Sequence, residues 1–162
     1  MCKLGTFHLG DRKLCYAQLA ERDFPPIAMF HGVLRAWNCF LPLSAHLSPN
    51  YDLVSLDQRG HGTSDRADRY LVADYADDAV EWFERVVGRP AVIYGHSLGA
   101  MVAASVAARC PKLVRGVVLE DPPFDTLGKF IKNTALHDYF SQLSRLISQK
   151  LPQTELVRRL AE

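Results

Sequence analysis

At 162 residues, with 48% hydrophobic and 23% charged residues and a formal net charge of +1, the chain has the size and composition of one soluble globular domain with a real core. The near-neutral balance gives no electrostatic case for nucleic acid or an anionic membrane as partner, and no apolar run approaches the ~20 residues needed to span a bilayer. Cys2, Cys15, Cys39 and Cys110 are widely spaced with no Cys-x-x-Cys, and Met1-Cys2-Lys3-Leu4-Gly5 has no signal-peptide core. The cysteines therefore read as small buried hydrophobes in a chain expected in the reducing cytoplasm.

Residues 3–9 and 13–19 are predicted to be two short strands joined at Gly10-Asp11, a hairpin signal. Pro25-Pro26 ends that region. Ile27-Ala28-Met29-Phe30 follows as a short apolar strand that runs straight into His31-Gly32. Trp37 to His46 is predicted to be helical, with Trp37, Phe40, Leu41 and Leu47 as packing residues, and Ser48-Pro49-Asn50 breaks it. Tyr51 to Leu56 is another strand, followed by the Gly-rich polar loop from Asp57 to Asp65. Leu71, Tyr75, Ala79, Trp82, Phe83, Val86 and Val87 recur at helical spacing and predict an amphipathic helix over 72–87. Gly88-Arg89-Pro90 stops it.

Ala91-Val92-Ile93-Tyr94 is the next apolar strand, and residues 98–109 form an alanine-rich helix suited to close packing on a sheet. Val114 to Glu120 is one more apolar strand, ended by Asp121-Pro122-Pro123. Residues 125–162 read as helical, with Tyr139, Leu143, Leu146 and Ile147 on one apolar face. Strands alternating with helices after an opening hairpin predict an α/β fold, a mostly parallel sheet with helices on both faces. The near-continuous apolar runs at 27–30, 91–94 and 116–119 are expected to be strands buried on both faces.

Chemistry enters at Gly95-His96-Ser97-Leu98-Gly99, a Gly-x-Ser-x-Gly between a predicted strand and a predicted helix. In that context the serine sits on a tight, strained turn. Gly95 and Gly99 flank it because a Cβ at either place would collide with a neighbouring strand or helix. Ser97 is then the candidate nucleophile at a helix N-terminus, where free N–H groups favour developing negative charge. Acyl transfer also needs donors for the oxyanion. The N–H of Leu98 is one, and the second is expected from the loop after the strand at 27–30, at the N–H of Val33, where Gly32 allows close approach. This chemistry calls for no cofactor. His8, His31, His46, His61, His96 and His137 show no paired metal-ligand spacing. His96, beside the nucleophile, is expected to point away from it.

The chain resembles the α/β-hydrolase superfamily, in its single-domain, cap-bearing form. The marks are His31-Gly32 after the third strand, Asp57-x-Arg59-Gly60-x-Gly62-x-Ser64 after the fourth, and Gly95 to Gly99 after the fifth, in matching order over residues 1 to about 125. The resemblance implies a core over 1–124 and a partial helical cap over 125–162. It also implies esterase, lactonase, C–C hydrolase or cofactor-free haloperoxidase-type chemistry on a small molecule. Asp57 and Arg59 are expected to fix their loop rather than to catalyse.

In this fold the triad runs Ser, then Asp or Glu, then His. After Ser97 the chain has one histidine, His137, in Leu136-His137-Asp138-Tyr139, a segment that reads as a helix start. Asp121, at the end of the sixth strand, stands at an alternative place for the acid in this family, and Asp125 is a weaker candidate. The expectation is a chain corresponding to the first two-thirds of a hydrolase, weakly active by itself because the catalytic histidine is missing. The strand at 114–120 would be an apolar edge open to self-association or to a complementing chain. The rival reading is a non-catalytic relative that binds a ligand or a partner protein.

Overall fold

Gly10 lets the first two strands fold back on each other. It adopts φ 59, a left-handed conformation that costs a glycine nothing. β1 (Lys3–Leu9) thereby pairs antiparallel with β2 (Arg12–Ala20), Leu9 opposite Arg12. The computed structural model describes residues 2–21, 23–124, 131–132 and 134–160. It divides into two compact units, Met1–Pro122 and Pro123–Glu162.

In the first unit β3 (Pro26–Phe30), β4 (Asp52–Leu56), β5 (Ala91–His96) and β6 (Val114–Glu120) complete a six-stranded sheet in the order β1-β2-β4-β3-β5-β6. The last four of these are mutually parallel, and β2 joins β4 antiparallel. This is the expected mostly parallel sheet with a hairpin at one end. β3 is central, and all five of its residues are buried.

Alternation along the strands divides the core between two faces. Ala28, Phe30, Val54, Leu56 and Ile93 pack with α2 (Val72–Trp82) and α3 (Leu98–Arg109). Trp82 anchors that layer: it is fully buried, 5.8 Å from the Phe30 ring and 6.2 Å from that of Tyr16. Ile27, Met29 and Leu53 face the other way, with Phe40, Leu43, Leu47, Val92 and Tyr94 around them. That second face carries α1 (Leu41–Leu47).

Three expectations are corrected. The helix expected from Trp37 to His46 is a 3-10 turn over Trp37–Phe40 followed by α1, with Pro42 in the first helical turn where its missing N–H costs nothing. Phe40 is buried but Leu41 is exposed. The helix expected over 72–87 is α-helical only to Trp82. Phe83–Val87 widen into a π-type turn, which Gly88 closes at φ 61 with its N–H on the Phe83 carbonyl at 3.0 Å. The run at 116–119 is not buried on both faces: β6 is an edge strand, and Val117, Val118 and Leu119 are exposed. β5 alternates between buried and half-buried residues.

The second unit holds α4 (Ala135–Ser148) and α5 (Gln153–Leu160). α4 starts on Thr134, whose hydroxyl accepts the His137 N–H at 3.3 Å. Tyr139, Leu143 and Leu146 of α4 line a hollow with Leu160 of α5. Among the described residues no helix is long and apolar enough to cross a membrane.

Candidate active site

β5 delivers the chain to Ser97 and α3 carries it away. Between them Ser97 adopts φ 53 and ψ −116, a conformation few L-residues tolerate. Neighbouring backbone holds it there. The Ser97 N–H donates to the Glu120 carbonyl of β6 at 2.9 Å, and the Ser97 carbonyl accepts the Ala100 N–H at 2.9 Å, opening α3. Gly95 and Gly99 are required for space, not for unusual φ. A Cβ on Gly95 would run into the Gly99 carbonyl, and one on Gly99 into the Phe30 carbonyl. The elbow therefore packs backbone to backbone against the end of β3.

The segment after β3 comes to the same place. A Cβ on Gly32 would lie 3.3 Å from the Ser97 Cβ and 2.8 Å from His96 Nδ1. Past Gly32 the chain turns, with the Arg35 N–H on the Gly32 carbonyl at 3.3 Å and Leu34 at φ 61. Neither the Val33 N–H nor the Leu98 N–H meets an acceptor among the described residues. Ser97, Leu98 and Val33 are half-buried.

His31 pins this segment from below. It is fully buried; its Nδ1–H donates to the Gly32 carbonyl at 2.8 Å and its Nε2 accepts the Gln58 N–H at 3.1 Å. The Gln58 amide returns a bond to the His31 carbonyl at 2.6 Å. Burial lowers the His31 pKa to about 4 from the ordinary 6.5, so the ring is neutral and both its nitrogens are engaged. It is a structural brace between two loops.

Asp57 and Arg59 fix the loop after β4. The buried Asp57 carboxylate accepts the Trp37 N–H at 2.8 Å and the Thr63 N–H at 3.0 Å. Arg59 forks onto Asp78 of α2 at 2.6 and 2.7 Å, where Arg12 joins at 2.8 Å. Such a buried pair is costly to break, because either ion left alone is desolvated without compensation.

Asp121 follows Glu120, which lies opposite His96 in the β5–β6 register, so Asp121 comes level with Ser97 across the two strand ends. It is exposed and adopts φ 49, which aspartate tolerates better than most residues. His96 lies on the α1 side of the sheet and lines a cavity of about 300 Å³ with Arg35, Tyr94 and Glu120. His137 sits in the first turn of α4, in the other unit. Asp125 lies outside the described residues. Among the described residues no cluster of three potential metal ligands occurs.

The sequence reading did not single out an open cleft of about 490 Å³ lined by Leu34, Arg35 and Cys39 on one side and by Gly60, His61 and Gly62 on the other. No sequence pattern marks it. Its walls come from loops some 25 residues apart in the chain, brought together because β3 and β4 are neighbours.

Comparison with known proteins bears on the family and the fold. A family model described as the alpha/beta hydrolase family matches residues 27–161. Over 98 residues the chain is 40% identical to 2-(acetamidomethylene)succinate hydrolase of Mesorhizobium japonicum, covering 60% of this chain and 35% of that protein. A solved E-2-(acetamidomethylene)succinate hydrolase superposes with a TM-score of 0.65 at 33% identity, covering 72% of this chain and 43% of the other. The thioesterase domain of a curacin biosynthetic pathway superposes at 0.73 with 20% identity, covering 91% and 52%, a likeness of fold alone. The chain thus spans about a third to a half of the length of these proteins.

Proposed function

The chain belongs to the alpha/beta hydrolase family, and on that premise we propose that it carries the nucleophile and oxyanion-binding parts of a serine hydrolase site for a small ester, lactone or related carbonyl compound. Ser97 Oγ attacks the substrate carbonyl carbon and gives its proton to a base. The carbonyl π pair moves to oxygen, and the N–H groups of Val33 and Leu98 receive the resulting anion. Collapse expels the leaving group, and water then releases the acyl group from Ser97. One such donor contributes ~2.7–4 kcal/mol to lowering the barrier. Asp121 is the acid that orients the base.

The observation that carries this reading is the backbone of Ser97, held at φ 53 between two glycines with Gly32 against its Cβ. Strain of this kind persists only where surrounding structure enforces it. Two of the proteins named above act, by their names, on a substituted methylenesuccinate, which is also a carbonyl compound. Neither histidine nearest the elbow is assigned as the base: His31 is neutral with both nitrogens engaged, and His96 lies on the α1 side. Turnover by these 162 residues alone is therefore expected to be weak; loss of a triad base costs on the order of a millionfold, with ~10³–10⁴ over water remaining. The exposed apolar edge of β6 is proposed as a self-association surface of this chain.

The deciding experiment is fluorophosphonate labelling of the protein in its native source, followed by sizing and peptide mapping. Label on the Ser97 peptide, abolished by Ser97→Ala, is the expected result. A folded chain that takes no label at Ser97 refutes the reading in favour of a ligand-binding role.

A further inference from the structure

We infer that Arg35, together with Leu34, forms a carboxylate-recognising subsite at the mouth of the Ser97 site, so that the compound accepted there carries an anionic carboxylate and a short apolar segment beside its reacting carbonyl. This rests on the reading of Ser97 as nucleophile.

The first ground is the turn itself. Leu34 sits at φ 61, which costs a non-glycine residue ~1–2 kcal/mol. The residue is 58% exposed, so burial does not offset that cost. The turn closes on Gly32, which packs on Ser97. What this geometry achieves is to hold Leu34 and Arg35 in the wall of the cleft.

The second ground is charge. The cleft is lined by Arg35 and by no carboxylate among the described residues. Arg12, Arg59, Arg69 and Arg89 each hold a carboxylate, whereas the Arg35 guanidinium has no ion pair or hydrogen bond among the described residues. The acids near it, Asp57 and Glu120, form no ion pair with it among the described residues and accept hydrogen bonds from other groups. Asp57 is taken by the Trp37 and Thr63 N–H groups, and Glu120, which shares the smaller cavity with Arg35, accepts the Tyr94 hydroxyl. Cys39 adds no negative charge, because burial pushes its thiol pKa up. The Arg35 guanidinium thus has no ion-pair partner among the described residues, and its backbone is tied to Gly32, which packs against Ser97. A guanidinium fork matches a carboxylate through two parallel N–H···O bonds. Gly60 and Gly62 at φ 71 and 54 complete the lining; the space a Cβ would take there is filled by Tyr70 and Asp57.

The test is protection of Ser97 in the full chain from a neutral fluorophosphonate, at constant ionic strength, by succinate, by the uncharged succinamide and by inorganic phosphate. Succinate is expected to slow labelling, and the other two at equal concentration are not. Arg35→Gln is expected to raise the protecting succinate concentration at least tenfold, and Arg35→Lys to restore part of the effect. Equal protection by succinamide, equal protection by phosphate, or unchanged protection in Arg35→Gln would each overturn the inference while leaving Ser97 as nucleophile. Absence of label at Ser97 without any added compound would remove the underlying reading, and this inference with it.

Discussion

Replacing Gly99 by alanine should be among the most damaging single changes in the first unit. A Cβ there would land on the Phe30 carbonyl oxygen and stand 2.8 Å from that of His31. Gly99 does not have a positive φ, so the difficulty is space and not backbone freedom. The obstructing atoms belong to the end of β3, which pairs with β4 on one side and β5 on the other. Ala28, Met29 and Phe30 are fully buried. Backbone in that position retreats only by breaking ladder hydrogen bonds. Overpacking a core typically costs ~1–3 kcal/mol and occasionally more. A clash with a central strand belongs at or above that limit, about 3–5 kcal/mol, against a total stability of about 5–15 kcal/mol. Gly116→Ala in β6 is the matched control: nothing lies within 4 Å of its added Cβ and its φ is not positive. It should be neutral, or stabilising by ~0.4–1 kcal/mol through the unfolded chain. Urea unfolding followed by circular dichroism measures both. With a slope of about 1–3 kcal/mol/M, Gly99→Ala should lower the midpoint by more than about 1 M. A Gly99→Ala protein within about 1 kcal/mol of the parent, beyond the usual scatter of harmless substitutions, would refute the backbone-contact argument.

Other expectations follow from single residues. Burial holds the His31 pKa at about 4 where the unfolded chain has 6.5. The unfolded state alone therefore takes up that proton between these values, and stability, full above pH 6.5, falls by about 3 kcal/mol as pH drops to 4. An NMR titration of the imidazole with its midpoint at the ordinary value would contradict this. Asp121→Asn keeps the side-chain shape and tolerates the positive φ, so the fold should persist, while in a protein where a base serves Ser97 its labelling should slow by at least about 100-fold, within the ~10⁴ seen for triad acids. An unchanged labelling rate would reduce Asp121 to a strand-end residue. Val118→Lys places a charge on the exposed β6 edge; sedimentation velocity should show less self-association than in the parent, and a parent that is monomeric throughout would remove the proposed surface.

The elbow was legible because its constraints are written within a few neighbouring residues. Gly95, Ser97 and Gly99 between an apolar run and an alanine-rich segment predict a strand, a tight turn and a helix over 98–109, and α3 spans Leu98–Arg109. The hairpin at Gly10-Asp11 and the bounds of β6 were legible for the same reason: backbone preference is set locally, by residues that tolerate or forbid particular φ and ψ. The exposure of Val117, Val118 and Leu119 was not, because an apolar run in a strand carries no mark of whether a neighbour lies beside it. The π-type turn at Phe83–Val87 was hidden likewise, since a single wider turn at the end of an α-helix is too short to register as a change of apolar period.

By itself the sequence determined the order of strands and helices, the mostly parallel sheet and the serine on its turn. Only the tertiary structure decided which distant groups meet. The strand order β4-β3-β5-β6 sets Gly32 against Ser97, His31 between two loops, Asp121 level with the elbow, and Arg35 across a cleft from His61. The physical reason is range. Dihedral preference and hydrophobic period act over a turn or two of chain, whereas a site depends on contacts between residues tens of positions apart, which exist only once the sheet has formed.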